Sequence, residues 1–128
     1  MGFRSVELED LLGKTFSAVE KVGDDVLRFH LPEGGGYEMY HSQHCCENVY
    51  IESIVGDLSD LVGEPLLLAE EATHEGENPE GVEISKYQAS FTWTFYKLAT
   101  RKGYVDIRWY GESSGYYSES VDVARFQA

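Results

Sequence analysis

The segment "YHSQHCCENVYIE" contains the side chains of this sequence that are best suited to chemistry. Within seven positions it carries two histidines, two adjacent cysteines and a glutamate: His41, His44, Cys45, Cys46 and Glu47. Zinc is bound by four such ligands, which are often paired two to four residues apart, and the two histidines have this spacing. The segment therefore offers His41, His44, Cys45 and Glu47 as a candidate metal site.

Two other interpretations of the segment compete with a metal site. Adjacent cysteines point in different directions in most backbones, and the only histidines elsewhere are His30 and His74, so a complete ligand set is hard to assemble. A thiol or metal enzyme would use His41, His44, Cys45 and Cys46, with a histidine as the base that activates the nucleophile. The pattern favours a third interpretation, in which the cysteines are small, half-buried side chains at a turn between two strands.

A second group of residues surrounds the segment "IRWYGESSGYYSES". An arginine fork beside aromatic rings suits a planar or phosphorylated ligand, through paired hydrogen bonds and stacking. The candidate ligand-binding residues are Trp93, Arg108, Tyr110, Ser113, Ser114, Tyr116 and Tyr117. The alternative is a cross-strand ladder of arginine, tyrosine and glutamate on a solvated sheet face.

Other catalytic signatures are absent from the sequence. The glycine-rich segments "EGGGYE" and "YGESSG" lack the lysine and the following helix of a phosphate-binding loop, and no Gly-x-Ser-x-Gly motif occurs. We therefore expect a protein that is not an enzyme, and we expect no cofactor.

Short strands with turn residues between them must position these side chains. The segment "SFTWTFYKLA" alternates Phe91, Trp93 and Phe95 against threonines, and "TRKG" turns it into "YVDIRWY". In that second strand, the odd-numbered residues from Val105 to Trp109 form one face. The even-numbered residues from Tyr104 to Tyr110 form the other face. Alternation of this kind, repeated along the chain, predicts meanders of antiparallel strands.

Helical signals are few. "SVELEDLLGKT" predicts a short N-terminal helix that Ser5 begins and Gly13 ends, and one helical turn is expected near residues 58–62. The acidic segment 73–84 is the best candidate for a flexible loop. The sequence thus predicts a single α+β domain over residues 1–128, with about seven or eight antiparallel strands.

The charge of the chain is strongly negative. Twenty-three acidic residues face ten basic ones, giving a formal charge of −13. This excess argues against direct binding to nucleic acids and to anionic membranes, where basic patches supply the attraction. No apolar segment of signal-peptide type begins the sequence, and two adjacent cysteines cannot join distant segments, so we expect a reducing, cytoplasmic location.

Several blocks of the chain resemble one family of small proteins encoded by bacteriophages and prophages, whose function is unknown. The blocks are "GKTF", "YHSQHCCENVYIE", "GDLSDLVGEPLLLAEE", "SFTWTFYKLATRKG" and "IRWYGESSGYYSESV", and they span roughly residues 13–123. The most specific parts are "CCENVYIE" and "WYGESSGYYSESV". The resemblance implies a viral protein in the cytoplasm of a host cell and supplies no catalytic residues.

A small acidic phage protein of this kind fits an accessory role during infection. We expect a non-enzymatic binder that neutralises or sequesters a component of host antiviral defence. Its partner would be either a defence protein or a nucleotide-derived small molecule. The sequence leaves open whether the protein forms a homo-oligomer. The alternative function is the small metal- or thiol-dependent enzyme described above.

Overall fold

Antiparallel strands dominate the computed structural model, which describes residues 3–75, 90–114 and 117–127. The described residues form nine strands: β1 Phe3–Ser5, β2 Ala18–Val22, β3 Val26–His30, β4 Gly36–Tyr40, β5 Asn48–Val55, β6 Leu68–Glu75, β7 Ser90–Thr100, β8 Gly103–Ser113 and β9 Asp122–Phe126. They build a five-stranded sheet in the order β1-β9-β4-β3-β2 and a four-stranded sheet in the order β5-β8-β7-β6. Every neighbouring pair is antiparallel.

One hydrophobic core joins the two sheets. The five-stranded sheet contributes Leu27, Phe29 and Met39, all fully buried, and the four-stranded sheet contributes Ile107 and Trp109, at 1% and 0% exposure. These residues alternate with polar neighbours along their strands, because a strand sends successive side chains to opposite faces. The buried face of β8 is therefore the one that the odd-numbered residues were predicted to share.

The turn between β3 and β4 depends on a glycine. Gly36 has φ of +157°, and a Cβ added there would overlap the carbonyl oxygen of Phe29. Only a residue without a side chain allows the two backbones to approach this closely. The hairpin that contains the "PEGGG" segment therefore requires glycine at position 36.

Helix is limited to two short 3-10 segments among the described residues, Leu8–Leu11 and Leu58–Leu61. The predicted N-terminal helix is therefore wrong in extent. Ser5 is the last residue of β1, where it pairs with Ala124, and so it does not begin the helix. The antiparallel part of the predicted α+β class is confirmed. Its helical part is wrong in extent, because the described residues contain only these two 3-10 turns.

The second 3-10 segment confirms the helical turn predicted near residues 58–62. Asp57 Oδ1 accepts the backbone N–H of Ser59 at 3.0 Å, which caps the first turn. From the β7–β8 turn, Lys102 Nζ donates to the carbonyls of Ser59 and Val62, at 3.0 Å each. A search of the described helices finds none with the length and apolar character needed to cross a membrane.

Candidate ligand-binding face

The candidate site lies on the side of the four-stranded sheet that points away from the core, which we call the outer face. Its central strands are β7 and β8, joined by a tight turn in which Thr100 pairs with Gly103. This register places Phe95 opposite Arg108 and Trp93 opposite Tyr110. The hairpin therefore brings three of the predicted ligand-binding residues, Trp93, Arg108 and Tyr110, onto one surface.

Arg108 is held in place by two neighbours. Its Nε donates to Glu52 Oε1 at 2.7 Å, and its Cζ lies 5.2 Å from the centre of the Trp93 ring. Glu52 reaches the arginine because the β5–β8 register shifts between Ile51 and Ser53, which leaves Glu52 as the extra residue of a bulge. The guanidinium is 28% exposed, and its two terminal amino groups have no acceptor among the described residues.

Aromatic rings surround Tyr110 on this face. Its ring centre lies 4.8 Å from that of Trp93, 5.8 Å from that of Tyr50 and 6.3 Å from that of Phe91. Burial, followed by the nearby carboxylate of Glu112, raises the pKa of Tyr110 well above its ordinary value of 10. The phenol is therefore neutral at physiological pH. With Trp93 and Tyr110 only 1% and 4% exposed, the rings form a largely buried, uncharged aromatic surface beside Arg108.

A groove of about 760 Å³ opens on the outer face next to this aromatic surface. Phe95 and Arg108 lie at its centre, between Ala72 of β6 and Ser53 of β5, which pair with them in one row across the sheet. The small side chains at both ends of the row leave room above it. The groove has the size of a small-molecule site.

Charged side chains line the next row of the groove. Glu70, Lys97 and Asp106 are cross-strand neighbours there, and Lys97 Nζ also lies 5.6 Å from the centre of the Tyr104 ring. Phe95 and Lys97 were not among the residues predicted from sequence. They share the odd-numbered face of β7 with Trp93, so the alternation that placed Trp93 could have found them.

Of the predicted ligand-binding residues that the structure describes, only Arg108 lines the groove; Trp93 and Tyr110 pack beside it, and the others lie elsewhere. Ser113 is odd-numbered on β8, so it lies on the core side, where its hydroxyl donates to Glu119 Oε2 and to the carbonyl of Tyr117. Tyr117 is in the same region and is 37% exposed. Ser114 is exposed, and Tyr116 lies outside the described residues.

The turn at residues 41–47 is tied together by a buried ion pair. His41 Nε2 donates to Glu47 Oε2 at 2.7 Å, and His41 Nδ1 donates to the carbonyl of Ser120 at 2.7 Å. The two side chains are 3% and 0% exposed. Both ring nitrogens of His41 thus face oxygen acceptors, one on the glutamate and one on the backbone.

The Glu47 carboxylate also accepts hydrogen bonds from two backbone N–H groups of its own turn, those of His44 at 2.8 Å and Cys45 at 2.9 Å. Burial alone would raise the pKa of Glu47. The hydrogen bonds from His41, Cys45 and His44 outweigh burial and lower that pKa to about 2. Glu47 is therefore ionised at every physiological pH, and it joins the turn through His41 to the segment that precedes β9.

The other candidate metal ligands are arranged differently. A disulfide joins Cys45 to Cys46, and both residues are exposed, so the half-buried position expected for them is wrong. His44 is exposed as well. In the part of the chain that the structure describes, no three His, Cys, Asp or Glu side chains are grouped to hold a metal ion.

The predicted acidic loop at 73–84 begins within a strand. Residues 73–75 complete β6, where His74 packs its ring 5.4 Å from that of Phe95. Residues 76–84 lie outside the described residues. Among the described residues, β6 forms the edge of the sheet on this side.

Comparison with known proteins gives a family and no activity. A family model described as a domain of unknown function (DUF7448) matches residues 9–123, which is most of the chain. The chain therefore belongs to that family. No curated protein and no solved structure gives a significant match.

Proposed function

We propose that this member of the DUF7448 family is a non-enzymatic binding protein that sequesters a nucleotide-like signal of host antiviral defence. The observation that carries the proposal is the outer-face groove, which Phe95, Lys97 and Arg108 line together. A phage origin enters through the resemblance of the "CCENVYIE" and "WYGESSGYYSESV" blocks to phage-encoded proteins. The small size and acidic composition of the chain agree with an accessory role.

The chemistry of the groove fits a planar ligand that carries an anionic group. The Phe95 ring offers a stacking surface for a base, and stacking of this kind tolerates many base types. The terminal amino groups of Arg108 can donate paired hydrogen bonds to a phosphate oxygen or to a base edge. Lys97 adds a second positive charge. It lies two residues after Phe95 on β7 and pairs with Asp106 of β8.

The charge distribution favours binding of a small anionic ligand over binding of a long polyanion. The whole chain carries a formal charge of −13, which repels extended polyanions such as nucleic acids. Within the groove, however, two of the five charged lining residues are cations, Lys97 and Arg108, and they offset part of the charge of Glu70, Glu71 and Asp106. A ligand with one or two phosphate groups can therefore enter this groove, whereas a long nucleic acid would meet the acidic surface around it.

The test is a thermal-shift screen with cyclic dinucleotides and ADP-ribose derivatives, followed by variants. At one hundred times Kd, a bound ligand should raise the Tm by about 10 °C. Arg108→Ala should abolish the shift. Arg108→Lys should remove most of it, because lysine keeps the charge but loses the planar fork.

Arg28 supplies a matched control. It also donates through Nε to a glutamate, Glu38 at 2.8 Å, and its Cζ lies 5.7 Å from the centre of an aromatic ring, Phe126, but on the other sheet. Arg28→Ala should lower the Tm of the unliganded protein without changing the ligand-induced shift. Equal loss of the shift in both variants, or no shift with any ligand, would contradict the proposal.

Recovery of the ligand separates sequestration from catalysis. After prolonged incubation and denaturation of the protein, mass spectrometry should return the bound ligand unchanged. A converted product would instead support an enzyme, and the Cys45→Ser, Cys46→Ser double variant would then show whether the thiol alternative is responsible. Binding of a defence protein in place of every nucleotide would move the proposal to a protein partner.

A further inference from the structure

A second cavity lies on the core side of the same sheet, at the end where the strands extend past the hydrophobic core. Its volume is about 700 Å³. Strand β7 contributes Thr92 and Thr94, strand β6 contributes Glu71 and Glu75, and the segment before β9 contributes Glu119. The lining therefore combines hydroxyl groups with three carboxylates, in contrast to the aromatic groove on the outer face.

Glu119 is a buried carboxylate with only neutral donors around it. It is 7% exposed, and it accepts hydrogen bonds from the hydroxyls of Ser113 and Thr92, the latter at 2.7 Å. Within the described ranges, no lysine, arginine or histidine forms an ion pair with Glu71, Glu75 or Glu119. A buried charge is costly without a partner of opposite charge, and here the protein supplies none in those ranges.

Thr94 gives an independent sign of a polar ligand. Its side chain is 1% exposed and lines the cavity, yet its hydroxyl has no hydrogen-bond partner among the described residues. Buried hydroxyls are nearly always hydrogen-bonded, so this one is poised to bind something that enters the cavity.

We propose that this cavity binds a primary ammonium group, carried either by a free polyamine or by a lysine side chain. An ammonium carries three N–H donors, which suit a hydroxyl and two carboxylate oxygens. Two of the carboxylates stand on β6 and the third precedes β9, and among the described residues they are not grouped closely enough for a metal ion. An extended organic cation with two or more ammonium groups can reach them separately, and it would neutralise the charge of Glu119.

The test is isothermal titration calorimetry of the full chain with spermidine at low salt. Strand β6 provides a control of matched charge, because Glu75 lies on the cavity side whereas Glu70 lies on the outer face. Glu75→Gln should weaken spermidine binding about tenfold, as expected for the loss of a charge-assisted hydrogen bond. Glu70→Gln should leave the Kd within about twofold, because it removes an equal charge from the opposite face.

Thr94→Val provides a second, uncharged test. Valine has nearly the same shape, and no hydrogen bond to a described residue is lost, so the fold should be retained. Spermidine binding should fall roughly threefold. A glutamine at position 119 is less useful as the first variant because Glu119 also positions Ser113 and Thr92.

A peptide that contains one lysine, titrated beside its Nε-acetylated form, identifies the source of the ammonium. Binding of spermidine alone assigns the cavity to free polyamines, and binding of only the unacetylated peptide assigns it to a protein lysine. Equal weakening by Glu75→Gln and Glu70→Gln would show nonspecific attraction to the acidic surface and would overturn the proposal. No heat with either probe at millimolar concentration would also overturn it.

Discussion

The two faces of the four-stranded sheet are built from the same strands, yet among the described residues only one of their cavities is lined by cations. On the outer face, Phe95 forms the aromatic floor of a groove in which Lys97 and Arg108 accompany three carboxylates. On the core side, Thr92 and Thr94 of the same strand β7 line a cavity with three carboxylates. Alternation along one strand thus separates a site suited to planar anions from a site suited to ammonium ions by the thickness of a single sheet.

The two faces also differ in how they are held. The wall of the core-side cavity includes the segment before β9, and the carbonyl of Ser120 in that segment is bound by His41 of the ion pair with Glu47. The floor of the outer groove is the hydrogen-bonded sheet itself. A perturbation of the turn at residues 41–47 should therefore affect ammonium binding more than nucleotide binding.

The largest expected effect contrasts the two tryptophans. Trp109 belongs to the hydrophobic core, whereas Trp93 lies on the outer face against Tyr110 and Arg108. Trp109→Ala should lower the free energy of unfolding by about 3–5 kcal/mol, as for other large core truncations. Trp93 is also buried, at 1% exposure, but it packs outside the main core cluster, so Trp93→Ala should cost about 3 kcal/mol, at the lower end of this range. Urea unfolding of both variants measures the difference, and a larger loss at Trp93 would contradict the assignment of faces.

The next effect concerns pH and the His41–Glu47 pair. The pKa of Glu47 falls from an ordinary value of 4.5 to about 2 on folding, so the folded protein binds fewer protons than the unfolded chain between these values. The stability that Glu47 contributes is therefore complete above pH 4.5 and is lost as the pH falls toward 2. Urea unfolding from pH 5 to pH 2 should show a shallower decline for Glu47→Gln than for the native protein. An equal decline in the free energy of unfolding for both proteins would show that the Glu47 carboxylate does not contribute to the pH dependence.

The smallest effect concerns two exposed apolar residues. Val55 lines the outer groove and is 63% exposed, and Leu67 is 60% exposed but does not line it. Each substitution by serine should change the free energy of unfolding by less than about 0.5 kcal/mol. Only Val55→Ser should weaken binding of a nucleotide-like ligand, by about twofold. The same loss in Leu67→Ser would place the ligand elsewhere.

The strands and their faces could be predicted from the sequence, because the alternation in β7 and β8 is strict and the "TRKG" turn sets their register. The same alternation separates some of the predicted ligand-binding residues from one another. Ser113 is odd-numbered and Arg108 is even-numbered, so the two could not share a face of β8. Phe95 could have been added to Trp93 by the same rule.

Other features needed the structure. The Leu8–Leu11 segment resembles the start of a helix in sequence, but Ser5 is drawn into β1 by its pairing with Ala124, so only one turn remains. Glu119 enters the core-side cavity through the path of the chain between β8 and β9, which no local pattern specifies. The contact between His41 and Ser120 joins residues 79 positions apart, so sequence spacing could not reveal it.

The most direct test of the two-face account is a ¹⁵N–¹H NMR titration that follows the indole N–H signals. The chain has two tryptophans, and the sheet places Trp93 on the outer face and Trp109 on the core side next to Thr94. A nucleotide-like ligand should shift the Trp93 indole signal and leave that of Trp109 unchanged, and spermidine should do the reverse. Movement of the same indole signal with both ligands, or of neither signal with either ligand, would contradict the account.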